Sequence, residues 1–416
     1  MTSEQSTDII IIGGGLVGAS LALLLAWVLP QKQIVLLEAR PFPGANQPSQ
    51  QSSLADFDQR STALSPSSAD LFADLGLWES LRAQASPIRE IQVSDRGQFG
   101  AARFGPEDND GKPLGYVVSN MVLGRSLLDQ LQNTANIDAR APVEVESLKP
   151  VRHGMQVNFS SGKQRDNLRA SLAIIADGAG SPLAASLGVS SHSKDYGQCA
   201  LIANVGYEQP HQGRAFERFT PLGPLALLPL ASEAQTESAL IWTRPLDRLA
   251  EVQAWSDSEF LRELQREFGY RLGHFTRVSR RSAYPLALQL AGEQVRSSLV
   301  LMGNAAHSLH PVAGQGFNLA LRDGARLAQT LATGEARGQA LGDLTLLQAY
   351  EQQQKRDQAM TVGLSDSFIR IFATGQPAVV AGRNLGLLSL ELIGGWRETF
   401  LSQMAGRSQA RARLGL

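Results

Sequence analysis

With 416 residues, 43% of them hydrophobic and 19% charged, the chain is long enough for two or three domains with substantial cores. A formal net charge of −1 gives no reason to expect nucleic acid or an acidic surface as a partner. The one cysteine, Cys199, excludes an internal disulfide, suits a reducing cytoplasm, and in the apolar run CALIANV reads as a buried thiol and not a nucleophile.

Residues 8–12, Asp8 followed by four isoleucines, read as a buried strand, and Gly13, Gly15 and Gly18 follow in the spacing G-x-G-x-x-G ahead of a helix-length apolar run. A dinucleotide-binding strand–turn–helix asks for glycine three times: for the tight turn, for close approach of a pyrophosphate to the backbone, and for packing helix on sheet. The helix then offers free N–H groups and the positive end of its dipole to the phosphates. A second strand over 34–37 ends at Glu38, 20 residues after Gly18, where a carboxylate accepts the hydroxyls of an adenosine ribose. Residues 9–29 are also apolar enough to suggest a membrane span or a signal core. The preceding MTSEQSTD holds two acids and no Lys or Arg, and four glycines crowd the first half of the run. The segment therefore reads as the interior of a soluble, cytoplasmic protein with neither transmembrane helix nor signal peptide.

The Pro-, Gln- and Ser-rich stretch after Glu38 is a loop. Ser65 and Pro66 then predict an N-cap and first helical position, with Leu71, Phe72 and Leu75 on one face and Gly76 as the stop. Strands are expected over 88–94 and 116–119, a short helix over 125–135, and hairpins at His153-Gly154 and Ser161-Gly162. A strand over 172–176 runs into Asp177-Gly178. From 196 to about 290 the pattern changes to strands with short turns, interrupted by one helix over 256–268, which implies a second domain built on a mainly antiparallel sheet. At 298 the first style returns as a buried strand, a Gly-rich loop and a helix with Ala320, Gly324, Leu327 and Leu331 on one stripe; from 341 the chain is helical.

The loop and helix over 303–318 read Gly303-Asn304-Ala305-Ala306-His307, His310-Pro311 and Gly314-Gln315-Gly316-Phe317-Asn318. This resembles the flavin-contacting motif of FAD-dependent aromatic hydroxylases, usually G-D-A-A-H, H-P and G-Q-G-x-N. A loop of small residues lets the backbone approach the ribityl chain, and the helix N-terminus stabilises charge on a reduced flavin. Other positions match the same family: Arg125 on the helix that reaches the cofactor phosphates, Asp177-Gly178 near the pyrophosphate, Arg60 in the loop beside the flavin, and Arg40 just past the ribose-binding Glu38. The finer resemblance, carried by VSDRG, GRAFERFTPLGPLALLPL, RSAYPLAL and AGRNLGLLSLEL, is to the ubiquinone-biosynthesis hydroxylases. Two positions depart from the pattern. Asn304 replaces an aspartate, keeping a hydrogen-bonding group and losing a charge, and Ala184 stands where an arginine commonly follows the D-G motif.

The resemblance implies an α/β fold: a Rossmann-like FAD-binding domain from 1–88, 118–190 and 292–340, an inserted antiparallel-sheet substrate domain from 89–117 and 191–291, and C-terminal helices over 341–416. It implies FAD as cofactor, NAD(P)H as a transient reductant without a domain of its own, and O₂ as co-substrate, reacting through a C4a-hydroperoxyflavin with the ring of a prenylated phenol. A hydroxylase of another ring position in the same pathway, a flavin-dependent isoprenoid reductase or dehydrogenase on the same fold, and a flavoprotein scaffold are the alternatives. The set Phe216, Phe219, Leu225, Leu227 and Tyr284 reads as sheet core on its own; because the family's second sheet roofs the flavin, the resemblance implies that some of it faces ring and tail. His307 and His310 read as loop residues and not metal ligands, and no base for the phenol is evident. Burying one CH₂ is worth roughly 0.8 kcal/mol, so a polyprenyl tail calls for a pocket open at one end and a membrane surface, a lipid-carrying protein or other enzymes of the pathway as partner. The leucines at 385, 387, 388, 390 and 392, with Arg397, Arg407, Arg411 and Arg413, form either a docking surface or a helix packed on the protein's own body.

Overall fold

A computed structural model of the chain describes residues 6–42, 60–98, 101–310, 314–373, 376–392, 397–398, 401–403 and 405–407. The fold is α/β. Its first sheet runs, in spatial order, through Val295–Arg296, Leu299–Leu301, Gln164–Ile175, Ser6–Ile12, Ile34–Leu37 and Ile137–Arg140, with the hairpin Glu144–Val151 and Gly154–Ser161 attached to the long strand. The strands from Leu299–Leu301 to Ile137–Arg140 are parallel to their neighbours. Parallel strands need cover on both faces, which is why Ile9 to Ile12 and Ile34 to Leu37 are apolar without alternation. The chain leaves Ser6–Ile12 toward Ile34–Leu37 on one side and returns on the other side with Gln164–Ile175, so the first strand marks a reversal of strand order. Ligands of open α/β sheets bind at such a point, outside the carboxyl ends of the strands.

The apolar run after the glycines is the helix Leu16–Val28, buried along most of its length against the helix Gln315–Ala336, where a Cβ on Gly324 would sit 3.4 Å from Leu21 and Leu24. No helix among the described residues is long and apolar enough to cross a membrane. Ser65 caps Pro66–Asp74, accepting from the Ser68 N–H, and Gly76 follows at φ +72°. The helix expected over 125–135 is Asn120–Gln132: Ser119, the last residue of the strand Gly115–Ser119, is also its N-cap, so strand and helix abut without a loop.

The second sheet has nine strands and is antiparallel except where Arg214–Phe219 lies parallel to Glu90–Asp95. From one edge it runs His307–Ser308, Ser282–Ala291, Ser191–Tyr207, Glu237–Pro245, Leu225–Pro229, Arg214–Phe219, Glu90–Asp95 and Ala101–Phe104, with Phe275–Val278 also paired to the end of Ser191–Tyr207. One face is sealed by the helix Asp257–Phe268, started by the reciprocal capping box of Ser256 and Glu259, and by the shorter helix Leu249–Ala254, which the sequence pattern did not predict. Trp242, Phe216, Phe260 and Phe268 pack there edge to face, with ring centroids 5.1 Å apart for Phe216–Phe268 and 5.3 Å for Trp242–Phe260. A three-stranded sheet of Ser61–Leu64, Gly115–Ser119 and Ser86–Ile88 packs Ala63 and Val117 toward Ala215 and Leu228 on the other face. The helices Leu344–Ala373 and Pro377–Leu392 complete the fold.

Candidate functional site

Backbone hydrogen bonds across the carboxyl ends of the parallel strands set the site's first wall. Met302 N–H donates to Ile175, Ala176 N–H to Ile12, Gly13 N–H to Leu37 and Glu38 N–H to Arg140, at 2.7–3.0 Å. Four loops distant in sequence are thereby brought into one row: Gly303-Asn304, Asp177, Gly13 to Gly15, and Glu38. A Cβ on Gly13, at φ +104°, would lie 2.4 Å from the Ala176 carbonyl oxygen, and one on Gly18 would lie 1.8 Å from that of Gly13. Gly15 differs, because a Cβ there meets nothing within 4 Å. It opens the helix Leu16–Val28 with no side-chain cap and no acid in the first turn. An uncapped helix start facing open space fits a pyrophosphate.

Glu38 is tied down at both oxygens, accepting from Gly14 N–H at 2.6 Å and Arg40 N–H at 2.9 Å; the remaining lone pairs suit ribose hydroxyls. Arg40 itself is exposed on the rim, and Arg125 is exposed on Asn120–Gln132, the helix packed beside the glycine-loop helix. Asp177 accepts from Ser181 Oγ at 2.8 Å. Ala184, at the position of the missing arginine, is buried in Pro182–Ser186 and donates its N–H to the same Ser181 hydroxyl. Gly303 adopts φ +61° with its Cβ position 2.9 Å from Val17, and Asn304 next to it is exposed.

Gly314, at φ +60°, starts Gln315–Ala336, again with no side-chain cap, and Gly316 faces open space. Asn318 behaves differently from the expected ligand. Its Oδ1 accepts from Ser65 N–H and Ser68 Oγ, and its Nδ2 donates to the carbonyls of Ala63 and Gly314, at 2.7–2.9 Å. The side chain is spent on clamping the helix start to the 61–68 segment, so what it leaves for a cofactor is backbone. Pro311 lies outside the described residues. His307, 2% exposed, bonds through Nε2 to Asp323 Oδ2 at 2.6 Å, and Asp323 also accepts from Gln354 and Gln358 on the next helix. Spacing in the sequence gave no hint of that partner, 16 residues away. Burial pushes His310 down to about 4, leaving it neutral, with its ring edge-on to Tyr196 at 5.5 Å.

The second wall is the face of the second sheet opposite Asp257–Phe268, which the three-stranded sheet covers only in part. Strand register places Ser282, Ile202, Ile241, Ala226, Glu217 and Val93 in one continuous cross-strand row. Ile202, Ile241, Ala226, Val93 and Ile91 are all only partly buried, although apolar. Tyr284 lies two residues from Ser282 on the same face, 39% exposed, with the Arg60 guanidinium 5.4 Å from its ring centre. Arg60 therefore joins the loop beside the glycine row to the second sheet. The expectation for Phe216 and Leu225 is corrected: alternation turns both toward Asp257–Phe268, where they are 2% and 0% exposed in the helix-covered core. Phe219 is sealed as well, under Ala102 and Phe104. Of the four proposed substrate contacts only Tyr284 looks onto open space, and Glu217 is the side chain there that the sequence reading missed.

The geometry agrees with what the chain resembles. Residues 6–362 match a family of FAD-binding domains. The chain is 33% identical over 407 residues to the ubiquinone hydroxylase UbiL of Rhodospirillum rubrum, covering 97% of this chain and 91% of that protein. It is 30% identical over 394 residues to the 3-demethoxyubiquinol 3-hydroxylase of Escherichia coli, covering 94% and 96%. Among solved structures, the p-nitrophenol 4-monooxygenase PnpA of Pseudomonas putida superposes with a TM-score of 0.76 at 18% identity over 98% of this chain and all of that one, a likeness of fold.

Proposed function

The chain belongs to the FAD-binding family of aromatic hydroxylases that includes those of ubiquinone biosynthesis, and from that premise we propose that it converts 2-polyprenyl-6-methoxyphenol to 2-polyprenyl-6-methoxy-1,4-benzoquinol. FAD, reduced by NAD(P)H and reacting with O₂, supplies the oxygen-transfer chemistry. The protein's own residues bind, orient and dry the reactants. Gly13, Gly15 and Gly18 with the start of Leu16–Val28 would hold the pyrophosphate, Glu38 the ribose, and Asp177, Gly303 and Asn304 the ribityl side. The uncapped start of Gln315–Ala336 would offer its positive dipole end to charge on a reduced flavin.

The observation that carries the substrate reading is the open part of that sheet face. Its row of half-exposed Ile202, Ile241, Ala226 and Val93 spans several strands spaced about 4.8 Å apart, a bench long enough for a phenol ring and the first part of an isoprenoid chain. Lipid contact is supported by Ile371 and Leu385, exposed on the last two long helices. Arg383, Arg397 and Arg407 argue for packing on the protein's own body, since they bond Asp95, Asp108 and Asn109. Deleting the gene in its native host and analysing lipid extracts by mass spectrometry tests the assignment. A prenylated methoxyphenol lacking one hydroxyl is the expected intermediate. A demethoxy quinol in its place moves the reaction to another ring position, and an unchanged quinone pool in a strain with no second hydroxylase overturns the pathway.

A further inference from the structure

On this partly open face Glu217 is an anomaly. Its cross-strand neighbours, Val93 and Ala226, are apolar, and Ala215 two residues before it packs with Ala63, Ile88 and Val117, which carry no charge either. The arginines beside it in sequence turn to the opposite face, where Arg214 meets Glu90 and Arg218 donates to the Glu267 carbonyl. Along its own face the charged groups among the described residues are Asp95, held by Arg383 at 2.7 Å beyond Phe219, Arg397, paired with Asp108 and lying 4.9 Å over the Phe104 ring, and Arg60 over Tyr284 at the far end. No group among the described residues hydrogen-bonds the Glu217 carboxyl. A carboxyl placed in apolar surroundings without a partner is costly to the fold. Such a cost is found where a ligand supplies the missing bond.

We propose that Glu217 receives the phenol hydroxyl of the substrate and takes its proton. In this step the phenol O–H bond breaks, the proton moves to a Glu217 carboxylate oxygen, and the electron pair stays on the ring oxygen, enriching the ring carbons ortho and para to it. The proton returns to the same oxygen as the ring regains aromaticity. Two features of the site suit that role. The row Val93, Ala226, Ile241 and Ile202 lays the ring and tail flat beside the carboxyl, and burial pushes the carboxyl up to about 8, close to the ordinary phenol range near 10, so proton sharing between the two is nearly balanced.

The inference rests on the phenol reading above and is tested by binding alone. FAD-loaded full-length protein is titrated, without reductant, with 2-allyl-6-methoxyphenol and with its O-methyl ether, following the flavin absorbance. In the wild-type protein preference for the phenol should rise about tenfold between pH 6.5 and 9, as a neutral hydrogen bond becomes charge-assisted. Glu217→Gln should hold FAD and show a flat preference, whereas Glu217→Asp should restore part of the rise. A preference that climbs with pH in Glu217→Gln as in the wild type overturns the proposal. So does loss of FAD and of the melting transition in both variants, which assigns Glu217 to the fold. Product analysis separates the two readings: a wild-type protein that shows the pH-dependent preference without forming a quinol keeps the phenol site and loses the hydroxylase step. One that forms quinol while binding ignores Glu217 loses only the proposal made here.

Discussion

The two faces of the second sheet are made by the same strands and differ in what covers them. Leu201, Phe216, Leu225, Leu227, Leu240 and Trp242 point toward Asp257–Phe268 and are closed to water. The alternate residues, Ile202, Ala226, Ile241 and Val93, are nearly as apolar and stay partly open. An antiparallel sheet needs only one dry face, with polar residues on the other. A second apolar face that the three-stranded sheet covers only near Ala215 and Leu228 is therefore shaped in its open part for a ligand, and the unpaired carboxyl there, Glu217, marks where that ligand is polar.

Substitutions on the two faces should separate accordingly. Trp242→Ala, on the closed face, is expected to cost about 3–5 kcal/mol in chemical denaturation, from lost burial plus an unfilled cavity; a loss no greater than that of Ile241→Ala would erase the distinction between the faces. Glu217→Gln should act through pH. A carboxyl whose pKa rises to about 8 on folding leaves stability intact below its unfolded value near 4.5, and the stability is lost as pH climbs through that window. The variant should thus match the wild type at pH 4.5 and exceed it by about 2 kcal/mol at pH 9, after allowing for partial solvent access. Equal melting temperatures at pH 9 would show the carboxyl to be well solvated.

Smaller effects belong to the open face itself. Ile241→Ala should cost about 1 kcal/mol of stability, because the residue is only half buried, and should weaken binding of a prenylated phenol more than of an unprenylated one in the same flavin titration. Tyr284→Leu removes the ring under Arg60 and should change stability by about 0.5–1 kcal/mol, with its clearer signature a raised KM. A larger stability loss at Tyr284 than at Trp242 would invert the assignment of the two faces.

The first wall of the site was legible because its causes are local. Gly13, Gly15 and Gly18, the cap at Ser65-Pro66 and the Ser256/Glu259 box each state their geometry within a few residues. The second wall was legible only in part. Period-two alternation says that Phe216 and Glu217 point to opposite faces, but its sign is set by which face the distant helix Asp257–Phe268 covers, and no short window carries that. Composition alone assigns Phe216 to the sheet core, the family resemblance turns it toward the ligand, and only the packing of that helix decides for the core and leaves Glu217 on the open side. The His307–Asp323 bond escaped for a related reason, since it links a loop to a helix through the packing of Gln315–Ala336 against Leu344–Ala373. The motif around Asn318 points to a cofactor contact, and its four protein partners, three of them more than 200 residues away in sequence, leave no trace in that motif.

The short strand His307–Ser308 pairs with Gln289 and Leu290 at the edge of the second sheet, although it emerges from the loop that begins at Gly303. That pairing makes the two walls poor candidates for exchange as separate cassettes. A chimera that grafts a relative's sheet onto this nucleotide domain breaks a seam unless residues 289–290 and 307–308 come from the same parent, so recombination points are better placed after the helix start at Gly314 than before Gly303.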